Sequence, residues 1–230
     1  MIRTSIARRI LLALIFQGAL VPVLAQDAAP KDNVQYKWAF VARSGGEGKH
    51  RLGVITRDTS ARSEDEFKMF VNVEKMAYVY VIHKSSDGEL SVLFPYDSST
   101  FGADFKTDKN YYIPKGREWF TLDKNTGPET FYLLASSERL TDLEKTLHLH
   151  SAAEAGKRAE AATMVVNEIK DIKKRFRTFS TTSERPISIA GNVRGEKQPT
   201  IDPDRVDIAI FATQVSALNF YSKTIIVDHK

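Results

Sequence analysis

The sequence predicts a mainly β, β-sandwich-like domain with an inserted helical pair at about residues 140–179. Three observations predict it. Apolar and polar residues alternate with period two in segments on both sides of that insertion, which is the signature of half-buried strands. Within the insertion the apolar spacing changes to three and four residues, the spacing of an amphipathic helix. Neither β half holds enough strands to close a sandwich by itself, so one domain over residues 34–230 is expected, not two.

The chain opens with the three parts of a secretory signal. Arg3, Arg8 and Arg9 form a basic n-region without acids, an apolar stretch begins at Ile10, and Val23-Leu24-Ala25 is a cleavage site with slim side chains. Cleavage is expected after Ala25, leaving a chain that begins at Gln26 and is periplasmic or secreted. A spanning helix needs roughly 20 mostly apolar residues, and Gln17, Gly18 and Pro22 interrupt a shorter run. Residues 26–33 are polar, contain Pro30 and read as a disordered leader.

Val34, Tyr36, Trp38, Phe40 and Ala42 mark the first strand, and a glycine-rich turn separates it from a second at 51–56. A polar loop covers 58–65. Phe67, Met69, Val71 and Val73 mark a third strand. Residues 77–83 (AYVYVIH) are dense in β-branched and aromatic residues. Asp87-Gly88 supplies a hairpin turn, residues 90–94 return as the partner strand, and Pro95 stops it because proline cannot donate to a ladder. Segments 111–113, 119–122 and 130–135 read as further strands. Thr141 with Glu144, and Ser151 with Glu154, fit capping boxes that would each start a helix. Ala162, Val165, Val166, Ile169, Ile172 and Phe176 form one apolar stripe. Segments 187–193, 206–213 and 220–227 are strand-like, and 195–205 is a loop with Pro199 and Pro203.

Composition excludes several classes. Removing the three signal arginines leaves 30 basic against 29 acidic residues, a net +1. A nearly neutral chain has no basic field for nucleic acid. There is no cysteine, hence no disulfide staple. The 205 residues after the signal are enough to bury about 70% of the unfolded surface.

The run Tyr78-Val79-Tyr80-Val81, then Asp87-Gly88, then Leu93-Phe94-Pro95 resembles a bacterial domain-of-unknown-function family numbered forty-three eighty-four. Its hallmark hairpin ends in Leu-Phe-Pro-Asn, followed by an Ile-Pro or Leu-Pro step and a Gly-x-Glu leading into an apolar strand. Ile113-Pro114 and Gly127-Pro128-Glu129 match, and Tyr96 replaces the asparagine. The resemblance covers about residues 66–137. It implies an exported, β-rich envelope module and no chemistry.

No catalytic constellation stands out, and no cofactor is expected. Ser44-Gly-Gly-Glu-Gly-Lys49 has Arg43 where a phosphate loop needs its first glycine and His50 where it needs Ser or Thr. Asp123, Asn125 and Glu129 alternate like calcium ligands, but an Asx turn between strands is the favoured reading. His148 and His150 are two apart on a helix and point to different faces, so they do not chelate together. There is no Gly-x-Ser-x-Gly elbow.

The helix at 157–177 carries seven basic and three acidic residues, five of the bases between Lys170 and Arg177. Cations there complement the helix dipole. They also offer a docking face, with Lys170, Lys173, Lys174 and Arg177 expected outward. The loop at 96–110, with Phe101 and Phe105, is a second candidate contact, flanked by Tyr111, Tyr112 and Trp119. The functional expectation is a non-enzymatic interaction module of the cell envelope. Its expected partner is another envelope protein, with peripheral contact to anionic lipid and none to nucleic acid. The rival is an enzyme or carbohydrate-binding protein with a site assembled across the sandwich.

Overall fold

The computed structural model describes residues 33–45, 51–75, 77–96, 107–177, 182–187 and 206–230. The expected signal, Phe101, Phe105 and the whole segment 188–205 lie outside the described residues. The fold is mainly β, with two sheets and a helical pair. The first sheet has the order β10 (Thr182–Pro186), β11 (Thr213–Ala217), β1 (Val34–Ser44), β4 (Glu66–Val73), β7 (Asn110–Ile113). Two short strands join it, β2 (Arg51–Val54) on β1 and β8 (Phe120–Thr121) on β4. The second sheet has the order β3 (Thr59–Ala61), β12 (Phe220–His229), β9 (Gly127–Ser136), β5 (Tyr78–Lys84), β6 (Leu90–Phe94).

The inner faces of both sheets share one core. Tyr36, Trp38, Phe40, Met69 and Val71 come from the first sheet, and Val79, Phe131, Leu133, Tyr221 and Ile225 from the second. Phe40 packs against Phe67 and Phe131 with ring centroids 5.7 and 4.8 Å apart. The period-two pattern of each strand aims these side chains inward.

The helical pair is more than an insertion at the side of a sandwich. The helices α1 (Thr141–Ser151) and α2 (Arg158–Phe176) form a third layer on the outer face of the second sheet. Leu143, Ala162, Val165, Ile169 and Ile172 cover Tyr80, Ile82, Leu134 and Phe220. Strands β5 and β9 are therefore buried over much of both faces. The outer face of the first sheet is also partly covered: Ala39, Val41 and Phe70 lie under Ile208 and Ala212.

Several boundaries differ from the sequence reading. Thr141 is the first helical residue and Leu140 is the cap, without a side-chain cap bond. The Glu144 carboxylate is taken by Tyr80, whose hydroxyl donates to it at 2.7 Å, and by Arg139. Ser151 closes α1 and donates to the His148 carbonyl, so the second helix starts at Arg158 after a 3-10 turn at Ala155–Lys157. The strand expected at 206–213 is a 3-10 turn at Ile208–Phe211. Asp207 accepts from the Ala209 amide at 2.9 Å and turns the chain there, a local bond that competes with a strand ladder. The strand follows at Thr213–Ala217, and Ile187 lies just past β10. The expected loop 58–65 holds β3. Asn33, at the end of the expected leader, is held by Asn219 through bonds of 2.6 Å in both directions.

Candidate functional site

Helix α2 ends where β12 begins, because Phe176 stacks on Phe220 with centroids 4.7 Å apart and planes 18° apart. That stack forms one wall of a cavity of about 400 Å³ bounded by α2, β10 and β12. Three cations line it: Lys173, Lys174 and Arg177. Thr182 and Ser222 add hydroxyls, and no acid is among the described lining residues. Lys174 and Arg177 are exposed. Lys173 departs from the outward placement expected of it. It is half-buried, and its Nζ donates to Thr224 Oγ1 at 3.0 Å. Lys170 is exposed on the same helix, away from the lining of the cavity. Arg175 faces Glu168, 3.7 Å away. Glu184, on the neighbouring edge strand, is occupied by the Tyr221 hydroxyl at 3.0 Å and by Lys223 at 2.8 Å. Burial, with the charge of Glu184 added, holds the Tyr221 phenol protonated well above the usual tyrosine range.

A second, wider crevice of about 730 Å³ lies beside β3, lined by Arg51, Arg62, Ser63, Glu64, Asp65 and Lys230 among others. Here the fold brings together a pair that no local motif announces. Ser63 Oγ and His229 Nε2 are 3.0 Å apart although 166 residues separate them. His229 is almost wholly buried, and its Nδ1 has no hydrogen-bond partner among the described residues. Placing the ring proton on Nε2 avoids a buried ring N–H without a partner among the described residues, which is costly. In that tautomer His229 donates to Ser63 and does not take the serine proton. A serine nucleophile needs the reverse, with a third group orienting the base. The pair leaves Ser63 able to donate its hydroxyl proton into the crevice, which suits binding.

The motif residues fasten the fold. Glu129 is buried, accepts from His83 Nε2 at 2.6 Å and from the Ser86 amide at 3.1 Å. It thus ties β9 to the β5–β6 turn. Gly127 has φ +133°, and a Cβ there would come within 2.8 Å of Ser86 Cβ. Asp123 accepts from the Asn125 amide at 2.7 Å, which is the Asx turn, and the Glu129 carboxylate is taken by His83 and the Ser86 amide. Among the described residues no group of three or more His, Asp or Glu is placed to hold a metal ion. Tyr96, in the asparagine position, packs edge-on to Phe94 and donates to the Tyr112 carbonyl at 2.5 Å. Burial raises its phenol to about 12. Tyr111 caps the core against Phe94. Trp119 lies under the Arg43 guanidinium, 4.8 Å from its centroid. Lys68 is buried because its Nζ donates to the carbonyls of Gly116 and Glu118 at 2.7 and 2.6 Å.

The sequence singled out the cations of the first cavity but missed Thr182, Ser222, Ser63 and His229. Serine and threonine are common, and only contacts between residues far apart in the chain give these four a context. Residues 60–139 match the model of a family described as a domain of unknown function (DUF4384), in agreement with the resemblance carried by the Leu-Phe-Pro hairpin. No curated protein and no solved structure gives a match.

Proposed function

We propose that this protein is an exported, non-enzymatic binding module of the bacterial cell envelope that docks an anionic partner through the basic end of α2. Export is supported by the basic n-region, apolar stretch and Val23-Leu24-Ala25 at the N-terminus. The single observation that carries the binding reading is a concave site with three cations, two hydroxyls, an aromatic wall and no acid among the described lining residues. Lysines at a helix end complement its dipole, but that role asks for no cavity and no neighbouring hydroxyls. The enzyme reading has less behind it: among the described residues the Ser63–His229 pair has no group on Nδ1 to orient the ring.

The test compares retention of the chain 26–230 on envelope membranes with that of a Lys170→Gln, Lys174→Gln, Arg177→Gln variant. Lys173 is spared because it bonds Thr224. Retention is expected to fall in the variant and in high salt, where exposed charges are screened. Equal retention of both proteins at all salt concentrations would reject the reading. Intact mass of the envelope form is expected to start at Gln26.

A further inference from the structure

We propose that the cavity between α2, β10 and β12 is a binding site for a phosphate ester, recognised by Lys173, Lys174 and Arg177 together with the hydroxyls of Thr182 and Ser222. This rests on the reading of the basic α2 end as the contact surface and names the group it takes.

The charge balance points to a dianion. Three unit positive charges line the cavity, and Glu184 outside it is already matched by Lys223. The C-terminal end of α2 adds only about half a negative charge through its dipole. A carboxylate would offset one of the cations, whereas a phosphate monoester carries about −1.5 to −2 near neutral pH. Donor chemistry agrees. A guanidinium fork, two ammonium groups and two hydroxyls all give hydrogen bonds to oxygen, and Arg is suited to bidentate contact with phosphate. The one lining phenol, Tyr221, is committed to Glu184. The stacked rings of Phe176 and Phe220 present apolar surface beside these donors. That surface suits the carbon side of an ester. A bare ion would leave it in water. The cavity volume of about 400 Å³ lies within the roughly 300–1,000 Å³ of small-molecule sites. It is concave, so it admits a compact headgroup better than a flat acidic protein face.

The experiment uses the chain 26–230 and reads melting temperature with glycerol 1-phosphate, inorganic phosphate, and sodium chloride at matched ionic strength. Ligands that bind only the folded state raise the melting temperature by mass action. Glycerol 1-phosphate is expected to raise it more than inorganic phosphate, and chloride not to raise it. Two variants follow: Thr182→Val with Ser222→Ala, and Lys174→Gln with Arg177→Gln. Each is expected to remove at least half of the rise. Should the hydroxyl variant fold poorly, the second decides, because its two residues are exposed. No rise with either phosphate, an equal rise with chloride, or an undiminished rise in the Lys174/Arg177 variant would overturn the proposal. Vesicles of phosphatidic acid, whose headgroup is a phosphate monoester, separate the sources. Sedimentation with them, competed by glycerol 1-phosphate, assigns the ester to a lipid headgroup. Phosphate binding without sedimentation assigns it to a soluble ester. If the variant of the preceding section loses envelope retention while phosphate gives no shift, the docking surface stands and the phosphate assignment falls.

Discussion

The hydroxyl of Tyr80 lies between two groups that need it. It donates to Glu144 at 2.7 Å and accepts from the Leu140 amide at 3.0 Å, so a residue of β5 supplies the cap that Thr141 does not. Tyr80→Phe removes that oxygen and leaves a buried amide unpaired. The expected loss is about 1–3 kcal/mol, read by urea denaturation. Thr141 and Glu144 were legible as a helix start, but the use of Glu144 was not, because its partner Tyr80 is 64 residues away. Six of the eight tyrosines (Tyr36, Tyr80, Tyr96, Tyr112, Tyr132 and Tyr221) have phenols held above the ordinary value, first by burial. Tyr112 reaches about 12. A raised folded pKa means that the folded chain keeps the proton after the unfolded chain has lost it. The stabilisation is therefore complete below the unfolded value of about 10 and is lost as pH rises through the folded values. The melting temperature is expected to fall steadily above about pH 10. A flat profile between pH 9 and 12 would contradict the buried placement of these rings.

At the scale of the element, α2 separates stability from binding on two faces of one helix. Its apolar stripe is buried and its cations are largely outside. Most helical stability in proteins comes from packing of an amphipathic face and not from propensity, so the stripe supplies most of the stability of this 19-residue helix. Ile169, 1% exposed, packs in the second core cluster. Ile169→Ala is expected to cost about 2–5 kcal/mol of unfolding free energy. Lys174→Gln with Arg177→Gln is expected to cost less than about 1 kcal/mol. The same denaturant titration measures both, and comparable losses would refute the division of faces. The stripe was legible because period 3.6 is a local property. The strand expected at 206–213 failed for a related reason: a short apolar run has no period to read, and Asp207 bonds Ala209 and Tyr112 instead of continuing a ladder.

Across the whole molecule, the family-matched segment holds β3 to β9 and lacks the strands that complete both sheets. In the first sheet β1 joins β4 to β11, and in the second β12 joins β9 to β3. Strand β12 alone meets β9 over the full register from Phe220–Ser136 to His229–Gly127. A fragment of residues 60–139 would leave the β12-facing edge of β9 unpaired and lose Tyr36, Trp38 and Ile225 from the shared core. Such a fragment is expected to lack a cooperative thermal transition by circular dichroism. A sharp transition in it would show a self-sufficient domain and overturn the expectation of one domain over 34–230.

The sequence by itself determined the fold class, the place of the helical pair, the buried stripe of α2 and the concentration of charge at its end. Each of these is written in neighbouring residues, because periodicity, turn residues and caps act over a few positions. Only the tertiary structure decided which hydroxyls stand beside Lys174 and Arg177, that Lys173 is drawn inward by Thr224, and that Ser63 meets His229. It also decided that the helices cover a second face of β5 and β9. These are contacts between residues far apart along the chain. They form where packing of the sheets and helices closes the intervening loops, and no local pattern encodes which distant strands become neighbours.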